Sequence, residues 1–268
     1  MDVSYFESLS PEKQLDYLYE EFDEEQRLTA SFSRSIEFKT TMNIILEHAE
    51  APAHILDVGA ATGIYSVPLV AMGHTVDAVE IVGKHVQSLL GKKEKAGLDG
   101  LSIYHQSALD MSNLRSNSYD LGLCFGPLYH LVDDNDQKKV ISEMCRLIKD
   151  HGVILFSFIN NDMVIATETY YSQGLYLVEQ TYDHMTFKVE DKPFVFHTLT
   201  QAKELLESCG LEIIEIIASD GLSELMRSTL DAMDNNMQKQ WLKYHDYTCR
   251  KPEFLGASNH WLFVTKNK

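Results

Sequence analysis

At 268 residues, with hydrophobic residues at 44% and charged residues at 24%, the chain suits one large globular α/β domain, or a medium one with insertions, rather than a disordered segment. Its 40 Asp and Glu against 23 Lys and Arg give a formal net charge of −17, which repels phosphate backbones and argues against nucleic acid as a partner. The most apolar run, Val153–Ile159, is too short to cross a bilayer, and Met1-Asp2-Val3-Ser4-Tyr5-Phe6-Glu7 holds neither a basic nor an apolar leader, so a cytoplasmic chain without membrane contact is expected.

The N-terminal segment predicts a helical cap over residues 1–48. Ser10-Pro11-Glu12 has the form of an N-cap followed by proline at the first helical position, and Leu15, Leu18, Tyr19 and Phe22 follow at helical spacing. A second helix is expected from Glu24 to His48, with Ile36, Met42, Ile44 and Ile45 facing inward. From residue 49 the pattern changes to alternating strands and helices. Strands are predicted at His54–Val58, Thr75–Glu80, Leu101–His105, Tyr119–Phe125 and Val153–Ile159. Helices are predicted at Tyr65–Met72, Val82–Lys95 and Asp136–Lys149. Such alternation implies a mostly parallel sheet covered by helices on both faces.

Residues 160–198 break the pattern and read as an inserted flap with short antiparallel strands at Tyr176–Gln180, Thr186–Glu190 and Pro193–Phe196. The α/β pattern resumes with a helix at Thr200–Ser208 and a strand at Glu212–Ala218. A second insertion at about 220–257 carries an amphipathic helix over Leu222–Tyr247, whose Met and Trp stripe reads as core packing. A last strand is expected at His260–Thr265, which brings the sheet to seven strands. Cys124, Cys145, Cys209 and Cys249 form no C-x-x-C pair and read as free thiols.

The stretch richest in chemistry is Ile55-Leu56-Asp57-Val58-Gly59-Ala60-Ala61-Thr62-Gly63, a buried strand, a small-residue turn and a helix start. Open α/β sheets bind ligands at such a place. The dinucleotide spacing G-x-G-x-x-G fails, because its later glycine places fall on Ala61 and Ile64. Glu80 ends the next strand, where an ionised carboxylate can accept hydrogen bonds from a ribose diol.

Residues 54–80 resemble the cofactor segment of the class I S-adenosylmethionine (SAM)-dependent methyltransferases, whose usual turn is D-x-G-x-G-x-G; here Ala61 replaces the middle glycine. The likeness continues through Tyr104–Ile159 and implies a Rossmann-like α/β fold with S-adenosylmethionine as cofactor. It implies that Asp57, Gly59, Ala60 and Gly63 form the turn beside the methionine part of SAM, and that Glu80 holds the ribose. It also implies that Ser107, Ala108 and Leu109 lie by the adenine, with Asp110 or backbone groups as substitutes for the family's usual acid there. Phe125, in Phe125-Gly126-Pro127-Leu128-Tyr129-His130, would then stand beside the sulfonium or pack in the core. Tyr19, Arg27 and Arg34, from the cap, are candidates to reach the cofactor's carboxylate or the substrate, although solvated helix-face charge is the competing reading for either arginine.

Methyl transfer from a sulfonium is an in-line displacement that needs alignment, exclusion of water and, for a poorly acidic nucleophile, a base. Tyr129 and His130 are the candidates for substrate contact or proton removal, against the alternative that His130 only caps the next helix or packs. His197, at the return of the flap, reads first as structural. The Asn/Asp-Pro-Pro-Tyr element of amino-group enzymes acting on nucleic acids is absent, no cysteine follows proline at that strand end, and no acid stands there for a metal. Asp133, Asp134 and Asp136 read as a helix start, and no metal is expected. The expectation is a methyl transfer to O, N or S of a small molecule. An RNA or protein methyltransferase, an NAD(P)-dependent reductase and a non-catalytic nucleotide-binding module are the alternatives.

Overall fold

The computed structural model describes residues 9, 11–21, 24–191 and 194–268. Ser10, Phe22 and Pro193, each named above, lie outside these. The strands are β1 (His54–Val58), β2 (Thr75–Glu80), β3 (Leu101–His105), β4 (Tyr119–Cys124), β5 (Ile148–Asn160), β6 (Phe196–His197), β7 (Glu212–Ala218) and β8 (His260–Lys266). Their order across the sheet is β3-β2-β1-β4-β5-β8-β7, with β6 pairing only to the end of β5. The sheet therefore has eight strands rather than seven. All neighbours run parallel except β8, which is antiparallel to both β5 and β7.

Two apolar layers sandwich the sheet because successive strand residues point to opposite faces. Leu56, Val58 and Phe156 pack with Val140, Ile141 and Met144 of the helix Asp134–Leu147 on one face. Ile55, Leu121, Leu123 and Leu155 meet Ile44, Ile45, Leu69 and Leu89 on the other. The strand order reverses between β1 and β4, and the carboxyl ends there open the crevice in which such sheets hold ligands. Among the described residues no helix is long and apolar enough to cross a membrane. The four cysteines are free, with Cys124 and Cys249 buried and the other two half-buried.

Three expectations change. The Glu24–His48 helix is interrupted: Glu24–Arg27 and Ser35–His48 are helical, and a turn separates them. Serine side chains compete there for the helix's hydrogen bonds. Ser33 gives both its amide and its hydroxyl to Asp231, at 2.8 and 3.0 Å, and Ser35 Oγ donates to the Phe32 carbonyl at 2.6 Å.

Among its described residues the flap holds no set of antiparallel strands. Asn160 accepts from the Asp162 amide and so caps a helix at Asn161–Tyr171, and Leu175–Glu179 is also helical. The expected strand pairing shrinks to one antiparallel bridge, Tyr182 with Val189, and Phe196–His197 runs parallel to β5.

The Leu222–Tyr247 helix is likewise divided, into Arg227–Asp231 and Asn235–Thr248, because Asp234 caps a new start by accepting from the Asn236 and Met237 amides. Its stripe is only partly core: Leu230 is fully buried, whereas Met237 is 50% exposed and Trp241 is half-buried.

Candidate active site

The turn after β1 is built by backbone geometry and one carboxylate. Gly59 and Ala60 donate their amides to the Val79 carbonyl at 2.9 and 3.2 Å, which fastens the turn to β2. Gly59 has φ +78°, and a Cβ there would lie 2.7 Å from Pro127 Cδ, so glycine is required for both dihedral and space. Ala61 adopts φ +47°, the left-handed region that costs a side chain about 1–2 kcal/mol. Its amide is held at 2.7 Å by Glu80 Oε2.

Glu80 is 5% exposed and its other oxygen, Oε1, accepts from the Ile81 and Val82 amides at 2.9 and 2.7 Å. A carboxylate offers about four lone-pair sites, so one position at Oε2 stays open to a further donor. Glu80 thus has a structural task that sequence spacing does not reveal. Asp57 is buried beside it. Burial raises its pKa to about 6, against the pull of the Ser66 hydroxyl, which donates to it at 2.5 Å.

A cavity of about 550 Å³ extends from this turn. Asp57, Gly59, Ala60, Glu80, Ser107, Ala108, Leu109 and Phe125 line it, as do Tyr129, His130, Tyr19 and Arg27. Gly63 and Arg34 do not. Gly63 (φ +83°) serves packing, since a Cβ there would clash with Leu89 Cδ1. Arg34 stands at the start of the Ser35–His48 helix, outside the lining. Asp110 also lies outside; its exposed carboxylate accepts from the Ser112 amide and hydroxyl. At that end the Ser107 hydroxyl accepts from the Leu109 amide at 3.2 Å.

Tyr129 and His130 lie in and just after a short 3-10 turn, Pro127–Tyr129, that follows β4. Phe194 from the flap packs 5.2 Å from the His130 ring and 6.4 Å from that of Tyr129. Tyr19 of the cap brings its hydroxyl to 2.9 Å from His130 Nε2 and stacks edge-on against His85 at 4.8 Å. His130 Nδ1 is buried with no hydrogen-bond partner among the described residues. Burial lowers the His130 pKa to about 4, so the ring is neutral at physiological pH. His197 lies outside the lining, its Nε2 3.3 Å from Gln137 Oε1 and its ring edge-on to Phe158, while Asp133 caps the Asp134–Leu147 helix through the Asn135 amide.

The cavity lining also contains residues that sequence reasoning missed. Glu24, Glu37 and Thr41 come from the cap, Tyr65 follows the cofactor turn, and Ser157 and Ser219 lie in β5 and just after β7. Arg27 donates to Glu24 at 3.2 Å and to Glu37 at 3.5 Å. Burial opposes its charge, but Glu37 and Glu24 outweigh it and hold the guanidinium protonated. Behind Glu37, His260 Nδ1 lies 3.4 Å from its Oε2 and 3.3 Å from Asp220 Oδ2. No local motif marks these residues, because only the fold brings the cap helices against β8.

A family model described as "Methyltransferase domain" matches residues 56–156, the stretch that contains the turn, Glu80, Ser107–Leu109 and His130. Residues 56–156 thus carry a methyltransferase domain. A ubiquinone biosynthesis O-methyltransferase of Rickettsia conorii is 27% identical over 201 residues, 70% of this chain and 62% of that protein, so the chain spans less than two thirds of that relative. Among solved structures, magnesium protoporphyrin IX methyltransferase from Synechocystis PCC 6803, with bound SAM, shares the fold at a TM-score of 0.58 and 13% identity, covering 97% of this chain and 98% of that one. The [4+2]-cyclase SpnF shares it at 0.60 and 12% identity, covering 96% of each chain.

The residues present fit S-adenosylmethionine. The glycine cradle at Gly59 admits a close ligand, Glu80 keeps an open acceptor position, and His130 offers an unpartnered Nδ1 without a positive charge that would repel a sulfonium.

Proposed function

We propose that this protein transfers the methyl group of SAM to an O, N or S atom of a small molecule, by direct in-line displacement. The observation that carries the reading is that a single cavity is lined both by Glu80, Ser107 and Phe125 and by Tyr129, Arg27 and Glu37. Its size falls within the range of small-molecule sites, roughly 300–1,000 Å³. When bound, SAM supplies an electrophilic methyl group on a sulfonium and leaves as S-adenosylhomocysteine.

In this reading Asp57, Gly59 and Ala60 flank the methionine part, and Glu80 takes a ribose hydroxyl at its open Oε2 position. Ser107, Ala108 and Leu109 face the adenine, and Arg27, held between Glu24 and Glu37, stands on the acceptor's side. Phe125 marks the boundary between cofactor and acceptor. Tyr19 closes the cavity over His130, which excludes water from the reaction. Tyr129 orients the acceptor. His130 Nδ1 contacts the acceptor and, in the tautomer protonated on Nε2, can take its proton.

A small-molecule acceptor suits the acidic cavity better than RNA does, and the net charge of −17 points the same way. The placement is cytoplasmic. The test is a calorimetric titration with SAM followed by a screen of small metabolites for S-adenosylhomocysteine formation. Failure to bind SAM would overturn the assignment.

A further inference from the structure

The acceptor end of the cavity is acidic, and the charges there do not balance. Among the described lining residues Arg27 is the one arginine or lysine, and both Glu24 and Glu37 lean on it. His260 joins from behind and is shared by Glu37 and Asp220. Burial works against a charge on His260, but Glu37 and then Asp220 outweigh it and raise its pKa to about 9. The result is an alternating chain, Glu24–Arg27–Glu37–His260–Asp220, in which three carboxylates face two cations. A net negative charge in a poorly solvated site is costly unless a ligand supplies the counter-charge. Both cations approach Glu37 at Oε2, so Oε1 takes no part in the chain. Tyr65, Phe125 and Tyr129 line the same compartment, and aromatic rings favour a neighbouring cation.

From this geometry, and resting on the reading of the cavity as a joint site for cofactor and acceptor, we infer that the acceptor carries a cationic amine that is anchored by Glu37. Arg27 and His260 hold the Glu37 carboxylate in place. An acceptor bearing a carboxylate or phosphate at this position would face Glu24 and Glu37, with the one guanidinium already committed to both.

The experiment titrates the protein, loaded with S-adenosylhomocysteine, with benzylamine, benzyl alcohol and benzoate, which share a ring and differ in charge. Benzylamine is expected to bind roughly ten-fold or more tighter than benzoate, the order of one charge-assisted hydrogen bond. Glu37→Gln is expected to bring the two within about three-fold while leaving S-adenosylhomocysteine affinity unchanged. Arg27 and His260 keep Glu24 and Asp220 as partners in that variant, and the wild-type series stands alone if the variant does not fold. Equal or tighter binding of benzoate, binding of none of the three, or an unchanged preference in Glu37→Gln overturns the inference. Weaker S-adenosylhomocysteine binding in Glu37→Gln also overturns it, because the carboxylate then serves the cofactor's own ammonium. Absence of S-adenosylhomocysteine binding to the wild type rejects the cofactor reading itself.

Discussion

The Tyr19 hydroxyl and His130 Nε2 lie 2.9 Å apart, although 111 residues separate them in the chain. This contact joins the N-terminal cap to the loop that leaves β4, and it closes the cavity at the point where His130 Nδ1 has no partner among the described residues. Tyr19→Phe removes it without changing the ring. The expected cost is about 1 kcal/mol of cap closure, seen as SAM affinity weakened roughly five-fold. Calorimetry that finds the same affinity would show that this contact does not hold the cap shut.

His130→Ala and Tyr129→Phe are each expected to lower turnover at least about ten-fold while SAM binding stays near normal, as the loss of acceptor alignment or proton removal requires. The imidazole keeps its neutral form until the pH falls to about 4. The wild-type rate should therefore hold from neutrality downward and drop only as the acid limit approaches. A rate that falls near the ordinary histidine range, around 6.5, would place the titrating group elsewhere.

Glu80→Gln tests the carboxylate's double task. The three amides that now bond its oxygens, those of Ala61, Ile81 and Val82, lose a charged acceptor. Folding stability should drop by about 1–3 kcal/mol, and SAM affinity should fall by a similar amount. A variant that loses stability but binds SAM as before would confine Glu80 to holding the turn.

Ala61 can be examined in two directions. Ala61→Gly relieves its left-handed strain but loosens the unfolded chain, and the net change in melting temperature should be small. Ala61→Val adds a β-branched side chain at φ +47° and should destabilise the protein by about 2 kcal/mol or more. Equal melting temperatures for the glycine and valine variants would mean that this turn tolerates any side chain.

His260 gives a pH-dependent signature. Its pKa is 6.5 in the free form and about 9 in the fold. Because the folded value is raised, its contribution to stability is complete below 6.5 and is lost as the pH rises through 9. Over that window the wild type should lose on the order of 1–3 kcal/mol relative to His260→Asn. A gap in melting temperature between the two proteins that stays constant across this range would show that the ion-pair chain is not maintained in solution.

Much of the sheet was legible because its signals are local. Strands β1 to β4 appear where short apolar runs are bounded by turns, and Gly97 ends the helix Gly83–Ala96 in a left-handed C-cap. The flap was misread because Tyr176–Gln180 looks like a strand by composition, while the deciding residue, Asn160, caps the preceding helix from the end of β5. The Met and Trp stripe was misread because Asp234 divides its helix and turns Met237 to solvent. In the site, the Asp57–Gly63 turn and Glu80 stand out through spacing. Glu37, Asp220 and His260 do not, since each looks like an ordinary polar residue until the cap, the loop after β7 and the edge of β8 meet.

The Glu24–Arg27–Glu37–His260–Asp220 chain has an evolutionary and practical corollary. The stretch shared with other methyltransferase domains ends at residue 156, yet part of the cavity wall is made by Glu24, Arg27, Glu37 and Thr41 before it and by Ser219 and Leu262 after it. The acidic chain is thereby written outside the stretch that carries the turn after β1 and Glu80. A hybrid that kept the middle of this protein and borrowed both ends from a relative would exchange the whole ladder of charges, whereas exchanging either end alone would leave half of it facing the wrong partner.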